Sequence, residues 1–317
     1  RSRPAWALVM LGLTGGLGLL LAVATLAALL ADWWWPLDLL TSFHPQYAVL
    51  LGVIAAIHLL LRSPGWGALF AGVALVNASL AAPYLLGAGP SRPVEGPELS
   101  ILSFNVGVSN PMRREVAEYA AVERPDVIAI IESSFEWEDA LVDHGPPMSL
   151  VAVVPSDRVA GITLLAEPGL LARAVEVPFA DPDEAVAAEM GLGAGRVVVL
   201  VLHPPSPTSG ERAVRRNEIL AAAGDWVAGS ALPVVVVGDL NATPWSPAFQ
   251  ELQLRGRLVD SSRGGGLHAT WPAGWGPAMI PIDHALHTAG LRAVERRTGP
   301  SFGSAHLPLI ATVAPAG

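Results

Sequence analysis

The chain has 317 residues, 52% of them hydrophobic, and its positive mean hydropathy is too high for an ordinary soluble domain. All 19 basic residues are arginine, and with 28 acidic residues the formal net charge is −9. The part of the chain after residue 97 has 15 arginines and 25 acidic residues. Its formal net charge of −10 argues against nucleic acid as the substrate. The absence of cysteine is compatible with an oxidising compartment.

Three uncharged apolar segments lie at the start of the chain. Pro4–Ala31 is long enough to span a bilayer, and Leu39–Leu61 and Trp66–Leu86 follow it. A cleaved signal peptide is a poor explanation for the first segment, because the segment is too long and two more follow. We therefore predict three transmembrane helices, the middle one short, over about residues 5–31, 45–61 and 66–86.

The few charges near these segments predict their orientation. Arg1 and Arg3 precede the first helix and Arg62 separates the second from the third, whereas the first loop holds Asp32 and Asp38. The positive-inside rule places the arginines in the cytoplasm, so three crossings put the rest of the chain at the outer face of the cytoplasmic membrane. Few ionisable groups lie inside the helices, which leaves little support for a transporter.

The chain is predicted to have a membrane domain over residues 1–89, a Gly- and Pro-rich linker over 90–97, and a catalytic domain over 98–317. Trp33–Trp35 directly follows the first helix, and we interpret it as an interfacial anchor, with contact to a lipid substrate as the alternative. Such a short linker reaches a few tens of ångströms at most.

The outer domain alternates between strand-like and helix-like segments, which favours an α/β fold with mixed sheets. Helical spacing of apolar residues predicts helices over Met112–Glu123 and Gly210–Ala228. Apolar runs predict strands at Leu99–Val106, Asp126–Ile131, Gly161–Leu165, Arg196–Leu202, Pro233–Val237, Ile282–Leu286 and Leu307–Val313.

Polar residues stand at the ends of these strands. In the run VVVVGDLN, Gly238 lets the backbone turn, and Asp239 and Asn241 then project in the same direction. A carboxylate that orients water and an amide that meets phosphoryl oxygens suit phosphate ester hydrolysis, although each residue alone also suits a turn or a cap. The other strand-end residues of this kind are Asn105, Glu132, His203, Asp283, His284 and His306.

These motifs resemble those of the endonuclease/exonuclease/phosphatase superfamily, the DNase I-like group of metal-dependent hydrolases. The resemblance covers about residues 98–315 and rests on SFN, IIES, a strand-end histidine, GDLNATPWS, TWP, IDH and SxHLP, in that order. It implies a four-layer α/β sandwich, with two mixed sheets flanked by helices and the site at one end. In this chain three transmembrane helices are expected to precede the sandwich.

The resemblance also implies residue roles. Glu132, with Asn105 beside it, would hold Mg²⁺ or Mn²⁺. Asp239 would orient the attacking water, Asn241 and His203 would contact the phosphate, and Asp283 would orient His306, which stabilises the transition state or protonates the leaving group. His268 and Trp271 are expected to line or support the site, and His284 to be structural.

Two positions depart from the family pattern. The last family motif is Ser-Asp-His, whereas this chain has Ser304, Ala305 and His306, which removes an oxygen ligand. Either the aspartate is lost naturally and Glu136 compensates, or the alanine is an inactivating replacement in an otherwise active enzyme. In addition, Ala166 and Glu167 stand where many relatives have Ser-Arg, and Arg158 is a candidate replacement for that arginine.

The leading hypothesis is a membrane-anchored, divalent-metal-dependent phosphohydrolase that acts on a phosphorylated lipid. Multi-helix anchors occur in the VanJ-like bacterial branch of this superfamily, which is linked to teicoplanin-type resistance. Resemblance to it suggests undecaprenyl (polyprenyl) pyrophosphate, a cell-wall lipid carrier, as the substrate. A sphingomyelinase-type phosphodiesterase or an extracellular nuclease is the alternative among enzymes. A lipid-phosphate-binding pseudoenzyme is the alternative of another class, because Ala305 replaces the family aspartate.

Overall fold

The computed structural model describes residues 3–87, 89–90, 96–153 and 161–316. The chain forms two compact units. One comprises Arg1–Leu85 with Trp245–Pro247, and the other comprises Leu86–Pro244 with Ala248–Gly317.

The first unit is helical. It contains α1 (Ala5–Ala28), α2 (Trp35–Thr41), α3 (His44–Leu60) and α4 (Pro64–Leu85), with a 3-10 turn at Ala31–Trp33. Prolines at the starts of α2, α3 and α4 suit the first helical turn, where a missing N–H costs nothing. Small residues let these helices approach closely. A Cβ at Gly18, for example, would lie 2.6 Å from the Phe70 ring.

Two helices, α1 and α4, are long and apolar enough to cross a membrane. The middle predicted span corresponds to α3, which has 17 residues and reaches the length of a membrane span only together with α2, from which it is bent by 63°. The helical unit therefore offers two spans, or three if the bent pair counts as one. The sequence pattern missed α2, and the structure leaves the side chains of Trp33 and Trp34 exposed.

The second unit contains two six-stranded mixed sheets. The first sheet has the order β11-β12-β1-β2-β4-β3, with β1 and β2 parallel. Its strands are β1 (Leu99–Asn105), β2 (Val127–Ser133), β3 (Ser149–Val153), β4 (Gly161–Ala166), β11 (Leu291–Thr298) and β12 (Leu309–Pro315).

The second sheet has the order β5-β6-β7-β8-β10-β9, with β7 and β8 parallel. Its strands are β5 (Arg173–Val175), β6 (Ala185–Leu192), β7 (Gly195–Leu202), β8 (Val234–Asp239), β9 (Val259–Asp260) and β10 (Asp283–His287). All seven predicted strands match observed strands to within a few residues: β1, β2, β4 and β12 lie in the first sheet, and β7, β8 and β10 lie in the second. Most of the predicted linker over 90–97 lies outside the described residues.

Four helices cover the outer faces of the sheets: α5 (Arg113–Glu123), α6 (Phe135–His144), α7 (Gly210–Ala228) and α8 (Pro247–Gly256). The apolar faces of the two sheets form one buried core that includes Ile101, Ile131 and Val237. A second core joins the second sheet to α7 and α8, and a third joins the first sheet to α5 and α6. The second unit is therefore the expected sandwich of two mixed sheets flanked by helices.

Candidate active site

The ends of the two parallel strand pairs carry the polar residues of the candidate site. Asn105 ends β1, Glu132 lies near the end of β2, His203 follows β7 and Asp239 ends β8. Strand β10 runs antiparallel to β8, and its first residue, Asp283, is the register partner of Asp239. The topology therefore brings residues that are distant in sequence to one edge of the sandwich.

The amide of Asn105 bridges two carboxylates from different sheets. Its Nδ2 donates to Asp239 Oδ2 at 3.0 Å and to Glu132 Oε1 at 3.1 Å, and its Oδ1 accepts from the Gly107 backbone N–H at 3.2 Å. A neutral donor between two acidic groups reduces their repulsion. The structure thus brings Asn105, Glu132 and Asp239 together.

A bulge aims the Glu132 side chain into the site. The register of β2 against β4 shifts between Ile131 and Ser133, and Glu132 itself has φ 59°. Positive φ is uncommon for a residue other than glycine, and bulges often redirect a side chain beside an active site. Glu132 Oε2 also accepts from the Val108 backbone N–H at 3.3 Å.

Burial and hydrogen bonding shape the acidity of Asp239. Burial raises the pKa of Asp239, and the nearby Asp283 raises it further, whereas His306, His203 and the backbone N–H of Asn241 oppose this change. That N–H donates to Asp239 Oδ1 at 3.0 Å. A carboxylate with a raised pKa is a stronger base for water activation.

Asp283 and His306 form a buried hydrogen-bonded pair. His306 Nδ1 lies 2.9 Å from Asp283 Oδ2, and His306 Nε2 lies 3.7 Å from Asp239 Oδ2. Burial by itself lowers the pKa of His306, but Asp283, Asp239 and Glu132 outweigh it and raise the pKa to about 9. His306 is therefore a cation at neutral pH, with Nδ1–H donating to Asp283.

His203 and Asn241 lie on the β7–β8 side of the site. His203 Nε2 lies 3.8 Å from Glu132 Oε1 and 4.0 Å from Asp239 Oδ2. Asn241 adopts φ 49°, which asparagine tolerates, and its Nδ2 donates to the carbonyl of Pro204 at 3.0 Å. One of its two amide hydrogens is thus used within the protein.

Among the residues that the structure describes, one group of three has the spacing of a metal site. The ligand atoms of Asp239, Asp283 and His306 all lie within 4.8 Å of one another. His306 Nδ1 lies 2.9 Å from Asp283 Oδ2, so a metal ion bound at this group would displace a ring proton or that contact. The carboxylates of Glu132, Asp239 and Asp283 supply oxygen donors at this edge.

Two other predicted residues, His268 and Trp271, lie on the segment before β10. His268 is near the Arg296–Asp260 ion pair, and burial, aided by Arg296, lowers the pKa of its ring to about 4. Trp271 is 37% exposed and pairs with Ile280. In the same segment, Thr270 Oγ1 accepts from the Asp283 backbone N–H at 3.4 Å.

His284 is fully buried and bonded to the backbone. Its Nε2 lies 2.9 Å from the Ala242 carbonyl O, and its ring packs against Phe249 at 4.5 Å between centroids. Burial lowers the pKa of His284 to about 4, so the ring is neutral and donates from Nε2. This environment suits a structural residue.

The positions that depart from the family pattern have different surroundings. Ala305 is exposed, and its carbonyl accepts from the Ala273 N–H at 2.7 Å. Glu136, the candidate compensating acid, is 70% exposed at its side chain and forms an ion pair with Arg113. Arg158 lies outside the described residues.

Three residues whose side chains donate to backbone carbonyls of the site were not predicted from the sequence. Ser304 Oγ donates to the Asn105 carbonyl at 2.7 Å, and Arg216 Nη1 donates to the Asn241 carbonyl at 3.0 Å. Arg296 Nη2 donates to the Asp283 carbonyl at 3.0 Å. The position of Arg216 was detectable, because it shares the buried face of α7 with Ile219, Leu220 and Ala223 at helical spacing.

Solved structures share this fold at low sequence identity. A functionally unknown conserved protein from Enterococcus faecalis V583 superimposes with a TM-score of 0.56 at 16% identity, over 68% of this chain and 100% of that chain. The human Nocturnin catalytic domain with a bound sulfate superimposes with a TM-score of 0.54 at 14% identity, over 70% of this chain and 96% of that chain.

D. rerio TDP2, solved with a single-strand DNA product, superimposes with a TM-score of 0.56 at 15% identity, over 68% of this chain and 98% of that chain. A protein with this fold thus binds DNA. The fold therefore does not support the expectation that this chain avoids nucleic acid. A search of curated proteins found no match to the chain.

The model of the Endonuclease/Exonuclease/phosphatase family matches residues 102–306, which is well over half of the chain and includes the whole cluster from Asn105 to His306. Members of this family are typically metal-dependent phosphoester hydrolases. The chain belongs to the Endonuclease/Exonuclease/phosphatase family.

Proposed function

We propose that this protein is a membrane-anchored, divalent-metal-dependent phosphohydrolase that acts on a phosphorylated lipid at the outer face of the cytoplasmic membrane. The observation that carries the proposal is the buried cluster in which Asn105 joins Glu132 to Asp239 and Asp283 holds a protonated His306. Acids, amides and a cationic imidazole at one edge of a sandwich suit phosphoryl transfer to water.

The oxygen donors fit a hard divalent cation. Glu132 and Asp239 would hold Mg²⁺ or Mn²⁺ together with water, because these ions prefer carboxylate and water oxygens. Asn105 contacts both carboxylates and would keep them in place. When bound, the ion would supply positive charge to the phosphoryl oxygens. Ala305 contributes no side-chain oxygen, so the ion would have one protein ligand fewer than in relatives with aspartate there.

Each remaining residue has a role that its contacts allow. Asp239 would orient the attacking water and accept its proton, because the Asn241 backbone N–H, 3.0 Å from Oδ1, fixes the position of the carboxylate. His306 would place positive charge beside the leaving oxygen and donate the Nε2 proton, while Asp283 keeps Nδ1 protonated. Asn241, through its second amide hydrogen, and His203 would donate to phosphoryl oxygens.

Two features favour a lipid as the substrate. The helical unit exposes large apolar side chains such as Leu13, Leu20 and Leu75, which are suited to contact with lipid chains. The catalytic unit follows it after a short linker sequence and carries a net negative charge, which disfavours polyanionic nucleic acid. By analogy with the VanJ-like branch, we propose polyprenyl pyrophosphate as the specific substrate.

Two other functions each have one observation in their favour. The DNA product in the D. rerio TDP2 structure favours a nuclease or another phosphodiesterase. The alanine at position 305 favours a pseudoenzyme that binds phosphorylated lipids without cleaving them.

A product assay separates these functions. The full chain in detergent, as the natural sequence and as Ala305→Asp, is incubated with Mg²⁺ or Mn²⁺ and polyprenyl pyrophosphate, phosphatidylcholine, sphingomyelin or plasmid DNA. Free phosphate from the pyrophosphate, with little nicking of DNA, supports the proposal. Nicked DNA or released headgroup at comparable rates would replace it with a nuclease or phosphodiesterase. Binding without turnover in either protein and with either metal would favour the pseudoenzyme.

A further inference from the structure

The loop of residues 271–280, which we call the tryptophan loop, lies shortly before β10. Its sequence, WPAGWGPAMI, contains no charged residue, although the chain after residue 97 has a formal net charge of −10. The side chains of Trp271 and Trp275 are 37% and 68% exposed. Exposed large apolar side chains that cluster in one short neutral segment mark a surface that contacts another molecule or a membrane.

Backbone contacts give the tryptophan loop a defined shape. Trp271 and Ile280 form an antiparallel bridge that closes the loop, in which the Trp271 N–H donates to the Ile280 carbonyl at 3.1 Å. Gly274 and Gly276, on either side of Trp275, have φ of 86° and 53°, which glycine adopts without strain. The exposed Trp275 is therefore held at the turn of a closed loop.

The tryptophan loop borders the catalytic cluster. The Ala273 N–H donates to the Ala305 carbonyl at 2.7 Å, and the Leu307 N–H donates to the Thr270 carbonyl at 3.0 Å. These two bonds flank His306, which lies between Ala305 and Leu307 in the sequence. A surface that binds the tryptophan loop is thus brought close to His306.

The chain ties the start of this segment to the end of α4. Gly89 packs against the glycines six to seven residues before Trp271, because a Cβ on Gly89 would lie 2.8 Å from the Gly265 Cα. Gly89 is four residues beyond Leu85, where the candidate membrane span α4 ends. Four residues reach about 14 Å at most.

The other end of the segment is tied to α4 as well. The Leu240 N–H donates to the carbonyl of Ile282, two residues after the tryptophan loop, at 2.9 Å. Five residues further along the chain, Trp245 belongs to the helical unit, where its Nε1–H donates to the Leu80 carbonyl of α4 at 3.0 Å. Short chain segments therefore connect both ends of the tryptophan loop to the C-terminal part of a candidate membrane span.

We propose that the tryptophan loop inserts Trp271 and Trp275 into the headgroup region of the bilayer that α1 and α4 cross. Tryptophan favours this region because its ring is apolar and carries one N–H donor. The absence of acidic groups from the loop avoids the repulsion that an anionic membrane surface exerts on the rest of the unit. The proposal rests on the membrane setting of the proposed function and not on hydrolysis. This contact brings His306 to the depth of the lipid phosphates.

Site-specific fluorescence quenching tests this contact in the full chain. The sequence has no cysteine, so one introduced cysteine can carry an NBD label at a chosen position. Ala278→Cys labels an exposed position of the loop and keeps both tryptophans. Val122→Cys is the matched control, because Val122 is 80% exposed and lies shortly before the start of β2, whereas Glu132 and the catalytic cluster lie at the other end of that strand.

Each labelled protein is reconstituted in vesicles of phosphatidylcholine and phosphatidylglycerol, and is quenched by lipids with a doxyl group near the headgroup. We expect quenching at position 278 to be at least about threefold stronger than at position 122. Adding Trp275→Ser to Ala278→Cys should remove most of this difference, because it takes away the more exposed aromatic anchor. The exposure of Trp275 means that this change leaves the fold intact, which thermal unfolding checks.

Equal quenching at the two positions, or quenching at position 278 that Trp275→Ser leaves unchanged, would overturn the proposal. An increase in emission when the labelled chain is diluted with unlabelled chain would show that the loop lies against a second copy, and would also overturn it. The measurement involves no substrate turnover. An inactive protein can therefore still confirm the membrane contact, and an active protein can refute it.

Discussion

Asp283 Oδ2 and His306 Nδ1 lie 2.9 Å apart in a buried hydrogen bond that connects the first residue of β10 with the loop before β12. The pair has a direct consequence for the pH dependence of activity. His306 has its pKa raised to about 9, so the cationic form that stabilises a phosphoryl transition state persists through neutral pH and is lost as the pH rises through about 9.

Asp283→Asn should move the alkaline limb of the pH–rate profile to lower pH, because it removes the charge that opposes the effect of burial on His306. The turnover number should also fall, by about tenfold to a hundredfold. The measurement is kcat against pH in the presence of Mg²⁺. Asp225→Asn, which removes an exposed acid paired with Arg255, is the control and should leave the profile unchanged. An alkaline limb at the same pH in both variants would contradict the role of the pair.

Ala305→Asp should raise metal-dependent hydrolysis by about a hundredfold or more, because it returns an oxygen ligand to the edge that holds Glu132 and Asp239. Ala305 is exposed, which leaves room for the larger side chain. The paired control is Glu136→Gln in the natural chain. Glu136 is exposed and bonded to Arg113, so its loss should not change the rate. A large drop with Glu136→Gln would instead make Glu136 the compensating acid.

Gly238→Ala should prevent stable folding of the catalytic unit. Gly238 has φ 136°, and a Cβ there would lie 2.1 Å from the carbonyl O of Leu202 on the neighbouring strand. Because the clash is with backbone, we expect a loss of more than about 3 kcal/mol in the free energy of unfolding. Gly229→Ala, whose nearest contact is 3.5 Å from the Trp226 carbonyl O, should cost less than about 1 kcal/mol. Thermal unfolding of the two variants gives the comparison.

Arg296→Met should lower the free energy of unfolding by about 3–5 kcal/mol, because it leaves the buried Asp260 carboxylate without its cation. The two side chains are fully buried, and the closest N–O distance between them is 3.5 Å. Adding Asp260→Asn to Arg296→Met should recover part of that loss, since it removes the uncompensated charge. Arg292→Met, on the same strand but partly exposed, should change stability by less than about 0.5 kcal/mol. Equal losses from the two arginine variants would contradict this account.

The strand ends were predictable because the buried strands of this sandwich have short apolar sequences, and polar residues follow them directly. The run Pro233–Val237 predicted β8, and Asp239 and Asn241 follow it. Strand β6 was missed since Ala185–Leu192 is rich in alanine and glycine, which have low strand propensity. Strand β11 was missed because its sequence carries a glutamate and three arginines and so contains no apolar run.

The finer geometry of the site depends on contacts that no local pattern contains. The bulge that turns Glu132 inward arises from the pairing of β2 with β4, whose register shifts between Ile131 and Ser133. Arg296 is surrounded by charged neighbours in sequence, and only the pairing of β11 and β12 buries it beside Asp260. The short helix α2 contains Asp38 and begins before the uncharged segment that starts at Leu39, so the hydropathy pattern does not show it.

The most direct test of the central claim is the rate of phosphate release from polyprenyl pyrophosphate by Ala305→Asp, measured with and without Mg²⁺ and compared with the Ala305→Asp/Asp239→Asn double variant. The account predicts release that requires Mg²⁺ and falls by about a thousandfold or more in the double variant, which retains the same melting temperature. Release that is independent of Mg²⁺, or that persists without the Asp239 carboxylate, would contradict it.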